Sequence, residues 1–161
     1  MPDFFRLISE YFWAVALAFA AFNYWKADRA ARSSVGIEEP EATAYVRNFA
    51  IAGALPWVIM GIGQLTGLAP TVWHYFRPQD GNAFVLVWLG LIFLLSCIFA
   101  WWVFFSDGAK KVVAYNLMAT LGQGSAKPPS ERLVKLFAAL GVVMVPIWVF
   151  GVVSMDAPLP R

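Results

Sequence analysis

Two polar residues, Glu10 and Gln64, sit inside otherwise apolar stretches and are the first candidates for chemistry. An ionisable group in hydrocarbon is costly and by default suggests a proton relay or an ion path. Glu10 lies 16 residues before Lys26, about 24 Å at helical rise, and Gln64 lies 17 residues after Arg47. The two therefore reach nearly the same depth, near one set of headgroups. There the competing account is a glutamate solvated by water and lipid headgroups, and the depth favours it. Asn23 and Asn48 form a second depth-matched pair at the opposite boundary. Helical steps of 13 and 16 residues rotate by about 220° and 160°, so each helix turns its two polar groups to different faces. At most one of the two pairs should face the hairpin partner. Hydrogen bonds to water or headgroups are the expectation for both asparagines.

Other chemistry is thin. The segment APTVWHYFRPQDGN (69–82) gathers His74, Arg77 and Asp80 among three aromatic residues. One histidine and one acid, without a second ligand at a useful spacing, make a poor metal or acid–base site. Trp73, Tyr75 and Phe76 read as interfacial anchors, and Asp80-Gly81 reads as a turn. Ser96 and the single cysteine, Cys97, have no histidine base nearby in the sequence, and one cysteine excludes disulfides and cysteine metal sites. No glycine-rich phosphate loop is present. The residues thus predict no catalytic activity, no cofactor and no metal.

The elements that must carry these residues are membrane helices. The chain of 161 residues is 60% hydrophobic and only 14% charged, against about 25% charged in an ordinary soluble domain. Its charges are segregated: Asn48–Val72, Ala83–Phe105 and Leu136–Met155 are uncharged runs of 25, 23 and 20 residues. About 20 apolar residues cross a hydrocarbon core of roughly 30 Å. A fourth run, YFWAVALAFAAFNYW between Glu10 and Lys26, is flanked on its C-terminal side by Lys26, Arg29 and Arg32. That flank marks a retained helix and not a cleaved signal. The expected fold is an all-α integral membrane protein: a single four-helix bundle with spans near 7–25, 48–67, 83–105 and 136–155. Helices near 5–28, 40–67, 83–111 and 129–155 carry these spans, with a short interfacial helix at 112–122. Ser130 is a candidate cap for the last helix.

Nine basic residues fall in the 26–47 and 106–135 connections, and only Arg6, Arg77 and Arg161 on the other side. The positive-inside rule places both connections in the cytoplasm and both termini outside a plasma membrane. The net charge of +2 follows from this topology and predicts no nucleic-acid partner.

Gly53, Gly61, Gly63 and Gly67, with Gly141 and Gly151, are expected to let helix backbones approach, because helices in lipid associate through small residues. Pro56 and Pro146 are expected to kink the second and fourth helices. A shift of 88 positions lays Pro40, Val46, Phe49, Ala50, Gly53, Ile59 and Gly63 on Pro128, Val134, Phe137, Ala138, Gly141, Ile147 and Gly151. This fits a two-plus-two duplication of a helical hairpin about an axis along the membrane normal, and it also fits the shared composition of apolar helices. The functional expectation is a non-catalytic subunit in the lipid bilayer that assembles with itself or another membrane protein. An oligomeric pore or small transporter subunit is the alternative. A membrane enzyme acting on lipids comes third, for want of an acid–base pair.

Overall fold

The computed structural model describes residues 2–34, 40–118 and 129–153. Helices α1 (Pro2–Ser34), α2 (Pro40–Leu65), α3 (Ala83–Phe105), α4 (Gly108–Ala114) and α5 (Glu131–Val153) follow in order. Two 3₁₀ turns, Val72–Phe76 and Pro78–Asp80, occupy the α2–α3 loop. Within α1, α2, α3 and α5, the stretches Leu7–Arg29, Glu41–Leu65, Ala83–Phe105 and Glu131–Gly151 are long and apolar enough to cross a membrane.

Helix ends follow local chemistry. Asn82 caps α3, its Oδ1 accepting from the Phe84 and Val85 N–H groups at 3.0 and 3.3 Å. Ser130 caps α5 by accepting from the Leu133 N–H at 3.3 Å. The third helix does not continue to residue 111. It stops at Phe105, Asp107 takes a left-handed φ of 55°, and α4 starts in a new direction. The turn is so tight that a Cβ on Gly108 would come within 2.6 Å of the Trp102 carbonyl oxygen. The interfacial helix expected at 112–122 is largely replaced by α4, whose last residue is Ala114. Residues 119–122, and the loop through Pro128, lie outside the described residues.

Pro56 lies inside α2 and Pro146 inside α5, as the sequence placed them. Non-helical backbone interrupts α1 at Tyr11 (φ −116°, ψ 16°), where no proline or glycine signals it. Gly67 lies past the last residue of α2. It adopts φ +75° just after α2, and a Cβ there would meet nothing within 4 Å. It ends the helix, since a left-handed φ is cheap only for glycine.

α1 packs along α2, and α3 packs along α5, while α2 and α3 touch less extensively and α4 lies against α3 and α5. Among the described residues no extensive contact joins α1 to α5. Among the described residues the four long helices thus adjoin in the order α1–α2–α3–α5, as an open row. In lipid there is little hydrophobic gain from closing the ring, so only specific contacts would do so.

Two buried clusters hold the row together. The inner one, toward the basic connections, joins Ala27, Val46, Val103, Val112, Leu117, Val134 and Ala138. The outer one joins Met60, Ala69, Val72, Tyr75, Val85, Trp88 and Leu89. Val46 and Val134, equivalent under the shift of 88, are both fully buried in the inner cluster. Gly63 and Gly151 differ. A Cβ on Gly63 would collide with the Tyr75 hydroxyl and the Phe84 ring, whereas one on Gly151 would meet nothing within 4 Å. Pro128, the equivalent of Pro40, lies outside the described residues.

Candidate functional site

A groove of about 510 Å³ runs between α2 and α3, within the range of small-molecule sites. α2 contributes Tyr45, Asn48, Phe49, Ala52, Gly53 and Pro56 along one wall. The facing wall runs from Ile92 to Trp102 on α3, with Ser96 and Phe99 between. Spacing on α2 explains the alignment: 45, 48, 49, 52, 53 and 56 recur at three and four residues, one face of a helix. Proline has no N–H, so Pro56 leaves the Ala52 carbonyl in this wall without its i+4 donor. Ser96 turns its hydroxyl back to the Ile92 carbonyl at 2.9 Å and so presents little polarity to the groove. Ala52 and Ile98 are exposed, which opens the groove sideways.

Its inner end is aromatic and cationic. Tyr45 is stacked between Trp102 (centroids 5.9 Å) and Tyr115 (5.6 Å), and the series continues through Phe99 to Phe49. Lys111 from α4 donates to the Tyr45 hydroxyl, and its ammonium lies 4.5 Å from the Tyr45 ring centroid. It also donates to Glu41 at 3.3 Å. The hydrogen bonds to Tyr45 and then Glu41 raise the Lys111 pKa, so the rim keeps its positive charge. On the same rim Lys110 pairs with Asp107 at 2.8 Å, which lowers the Asp107 pKa and raises that of Lys110. Lys135 also acts on Asp107 electrostatically.

The groove is blocked at its other end. Trp88 donates its indole N–H to the Pro56 carbonyl at 2.8 Å, and Tyr75 meets the Trp88 ring edge-on at 4.8 Å. The Tyr75 hydroxyl donates to the Met60 carbonyl at 3.0 Å. Burial without a charged partner pushes its pKa up to about 12.

The residues singled out in the sequence are distributed over both ends. Glu10 and Gln64 meet, although through the main chain of the former. With its amide oriented to satisfy both neighbours, Gln64 donates to the Glu10 carbonyl at 2.5 Å and accepts from the Val72 N–H at 2.9 Å. It thereby ties the α1 break to the outer loop. Asn23 and Asn48 line different grooves, Asn23 between α1 and α2 and Asn48 between α2 and α3. His74 Nδ1 is 3.0 Å from the Thr71 hydroxyl, and Arg77 pairs with Asp80 at 3.1 Å, so the three outer-loop candidates serve the loop's own shape. Gly61 lies under the Trp13 ring, where a Cβ would come within 2.7 Å of a ring carbon. A Cβ on Gly141 would touch the Ser96 hydroxyl at 4.0 Å.

Sequence reasoning missed Tyr45, Trp102 and Lys111 as a unit. Lys111 counted only as a topology charge, and its partner Glu41 is 70 residues away. The three-and-four spacing of aromatic and small residues from Tyr45 to Pro56 was the available signal. Compared with protein-family models, curated proteins and solved structures, the chain matches none.

Proposed function

We propose that this chain is a non-catalytic polytopic membrane subunit that assembles with copies of itself or with a larger membrane protein. One observation carries the reading: among the described residues the four apolar helices form an open row whose end helices, α1 and α5, share no extensive contact. An open row leaves two lateral faces for other helices, and it encloses no lumen of its own. Unoccupied space beside Gly90 and Gly151 adds backbone surface at which another helix can approach closely. The pore alternative has less support, because α3 offers only Ser96 and Cys97 as polar groups and Ser96 is bonded back to its own helix.

In this reading both basic connections face the cytoplasm. The row is two hairpins of common descent, supported by the matched burial of Val46 and Val134 and opposed by the unequal packing of Gly63 and Gly151. The test is the particle mass after extraction into lipid nanodiscs without prior delipidation. More than one copy, or a co-purifying membrane polypeptide in fixed ratio, supports assembly. A single copy alone at every protein-to-lipid ratio retires it.

A further inference from the structure

We propose that the α2–α3 groove binds an anionic glycerophospholipid from the leaflet on the basic side of the chain, one acyl chain in the groove and the headgroup phosphate at Lys111. The inference rests on reading the four long helices as membrane spans, and it does not depend on assembly.

Length is the first argument. Tyr45 to Pro56 on α2 and Trp102 to Ile92 on α3 each span about 15–17 Å at helical rise. Half of a hydrocarbon core is roughly 15 Å. The groove is therefore one leaflet deep. It is also blind: the Trp88–Pro56 hydrogen bond and the outer cluster close it at about mid-membrane. A partner's transmembrane helix needs a face that continues through both leaflets, and this one ends halfway. An acyl chain entering from one side needs no more.

Charge is the second argument. The groove interior is apolar and aromatic, and its one marked polarity gradient runs toward the inner rim. There Lys111 uses two of its three ammonium donors on Tyr45 and Glu41. A phosphate can take the third donor and compete with Glu41 for the second. Beside Lys111 on α4, Asp107 is held by Lys110, and Lys135 adds a further positive charge near Asp107. Asn48, one turn deeper than Tyr45, lines the groove at the depth of the ester linkages and supplies an amide donor there. A zwitterionic lipid would fill the groove equally well but gain less from Lys111, because its own ammonium opposes the rim.

The experiment is native mass spectrometry of the detergent-solubilised full chain, delipidated and then titrated with phosphatidylglycerol or phosphatidylcholine of equal chain length. The intact chain should retain phosphatidylglycerol in preference. Lys111→Gln should weaken that retention about tenfold, Lys111→Arg should preserve it, and phosphatidylcholine should be unaffected by either. Glu41→Gln, which frees Lys111, should strengthen it. Ala52→Phe, filling the groove from an exposed position, should reduce both lipids while leaving the melting temperature within a few degrees of the parent. Equal retention of the two lipids, or retention unchanged in both Lys111→Gln and Ala52→Phe, overturns the site. So does an Ala52→Phe chain that loses a bound protein copy instead of lipid. Alkaline carbonate extraction of the chain from membranes would instead remove the spanning reading on which the proposal stands.

Discussion

Trp88 on α3 donates its indole N–H to the Pro56 carbonyl on α2 at 2.8 Å, at the level where the two helices come together. The pair joins the two hairpins where their contact is otherwise thin. A hydrogen bond of this kind contributes about 1 kcal/mol net, whether in water or between membrane helices. Trp88→Phe keeps most of the ring but removes the donor, and should lower stability by about that amount in a reversible detergent unfolding assay. Trp88→Ala should cost about 3 kcal/mol or more, because the outer cluster also loses its ring. No loss of stability in Trp88→Phe would mean that the hydrogen bond contributes nothing, and equal costs for the two variants would mean that the ring packing contributes nothing.

The glycines of α2 and α5 make a sharper contrast. Gly63→Ala places a methyl against the Tyr75 hydroxyl and the Phe84 ring, both held in the outer cluster. Overpacking of this kind costs about 1–3 kcal/mol. Tyr75→Phe removes the obstructing oxygen, so the double variant should be less unstable than the sum of the two singles. Gly151→Ala, with nothing within 4 Å in this chain, should be neutral or slightly stabilising in a monomeric preparation. Additive costs at Gly63 and Tyr75 would show that the two do not share one space.

Much of the fold was legible because long uncharged runs leave it few choices. Uncharged runs about 20 residues long leave few alternatives to helices, and α3 follows the uncharged run Ala83–Phe105 from end to end. Depth counting from the flanking bases brought Glu10 and Gln64 to one level. It could not say that the contact would use the Glu10 carbonyl, because no proline or glycine marks the break at Tyr11 in the sequence. The lateral order of the helices was not legible for a related reason: apolar composition gives span number but not which helices adjoin. Lys111 and Glu41 were illegible as a pair, since charges on separate connections carry no mutual spacing signal.

Tyr75 gives a pH test. Its folded pKa of about 12 lies above the ordinary value of 10.0, so folding favours the neutral phenol. Below pH 10 both folded and unfolded chains hold the proton and the group adds no pH dependence. Between pH 10 and 12 the unfolded chain ionises first, and stability falls, by up to about 3 kcal/mol. Tyr75→Phe should remove this alkaline decline while lowering stability at neutral pH through loss of the Met60 contact. Ultraviolet titration of the folded parent should show a late-ionising tyrosine, near pH 12, that the folded Tyr75→Phe chain lacks. A stability profile with the same alkaline slope in Tyr75→Phe would contradict the assignment.

Topology is checked from the loop preceding α5. Ser130 is exposed at the α5 cap, and a cysteine there, in a Cys97→Ser background, should react with a membrane-impermeant maleimide only after the cells are opened. A cysteine in place of exposed Gln79, in the outer loop, should react in intact cells. The reverse pattern would invert the orientation taken from the nine-to-three distribution of basic residues.

Gln64 offers the most local readout. It bridges the Glu10 carbonyl on α1 and the Val72 N–H in the outer loop, two main-chain groups from segments 62 residues apart. Gln64→Leu keeps the volume and removes both partners at once. A buried backbone N–H that loses its acceptor, as Val72 would, costs about 1–3 kcal/mol where water cannot reach it, and less where it can. The outer loop lies near the helix ends, so water should rescue part of the loss by entering between α1 and the loop. That entry has a specific signature: the Val72 amide should exchange with solvent at least about tenfold faster, while amides at the centre of α3 keep their protection. Gln64→Glu is the companion variant. An ionised carboxylate still accepts from Val72 but repels the Glu10 carbonyl, so exchange at Val72 should stay slow while the α1–α2 contact around Trp13 and Gly61 loosens. If Val72 exchanges equally fast in the parent and in Gln64→Leu, the amide bridge does not hold the loop, and the meeting of Glu10 and Gln64 is a shared depth without a shared bond.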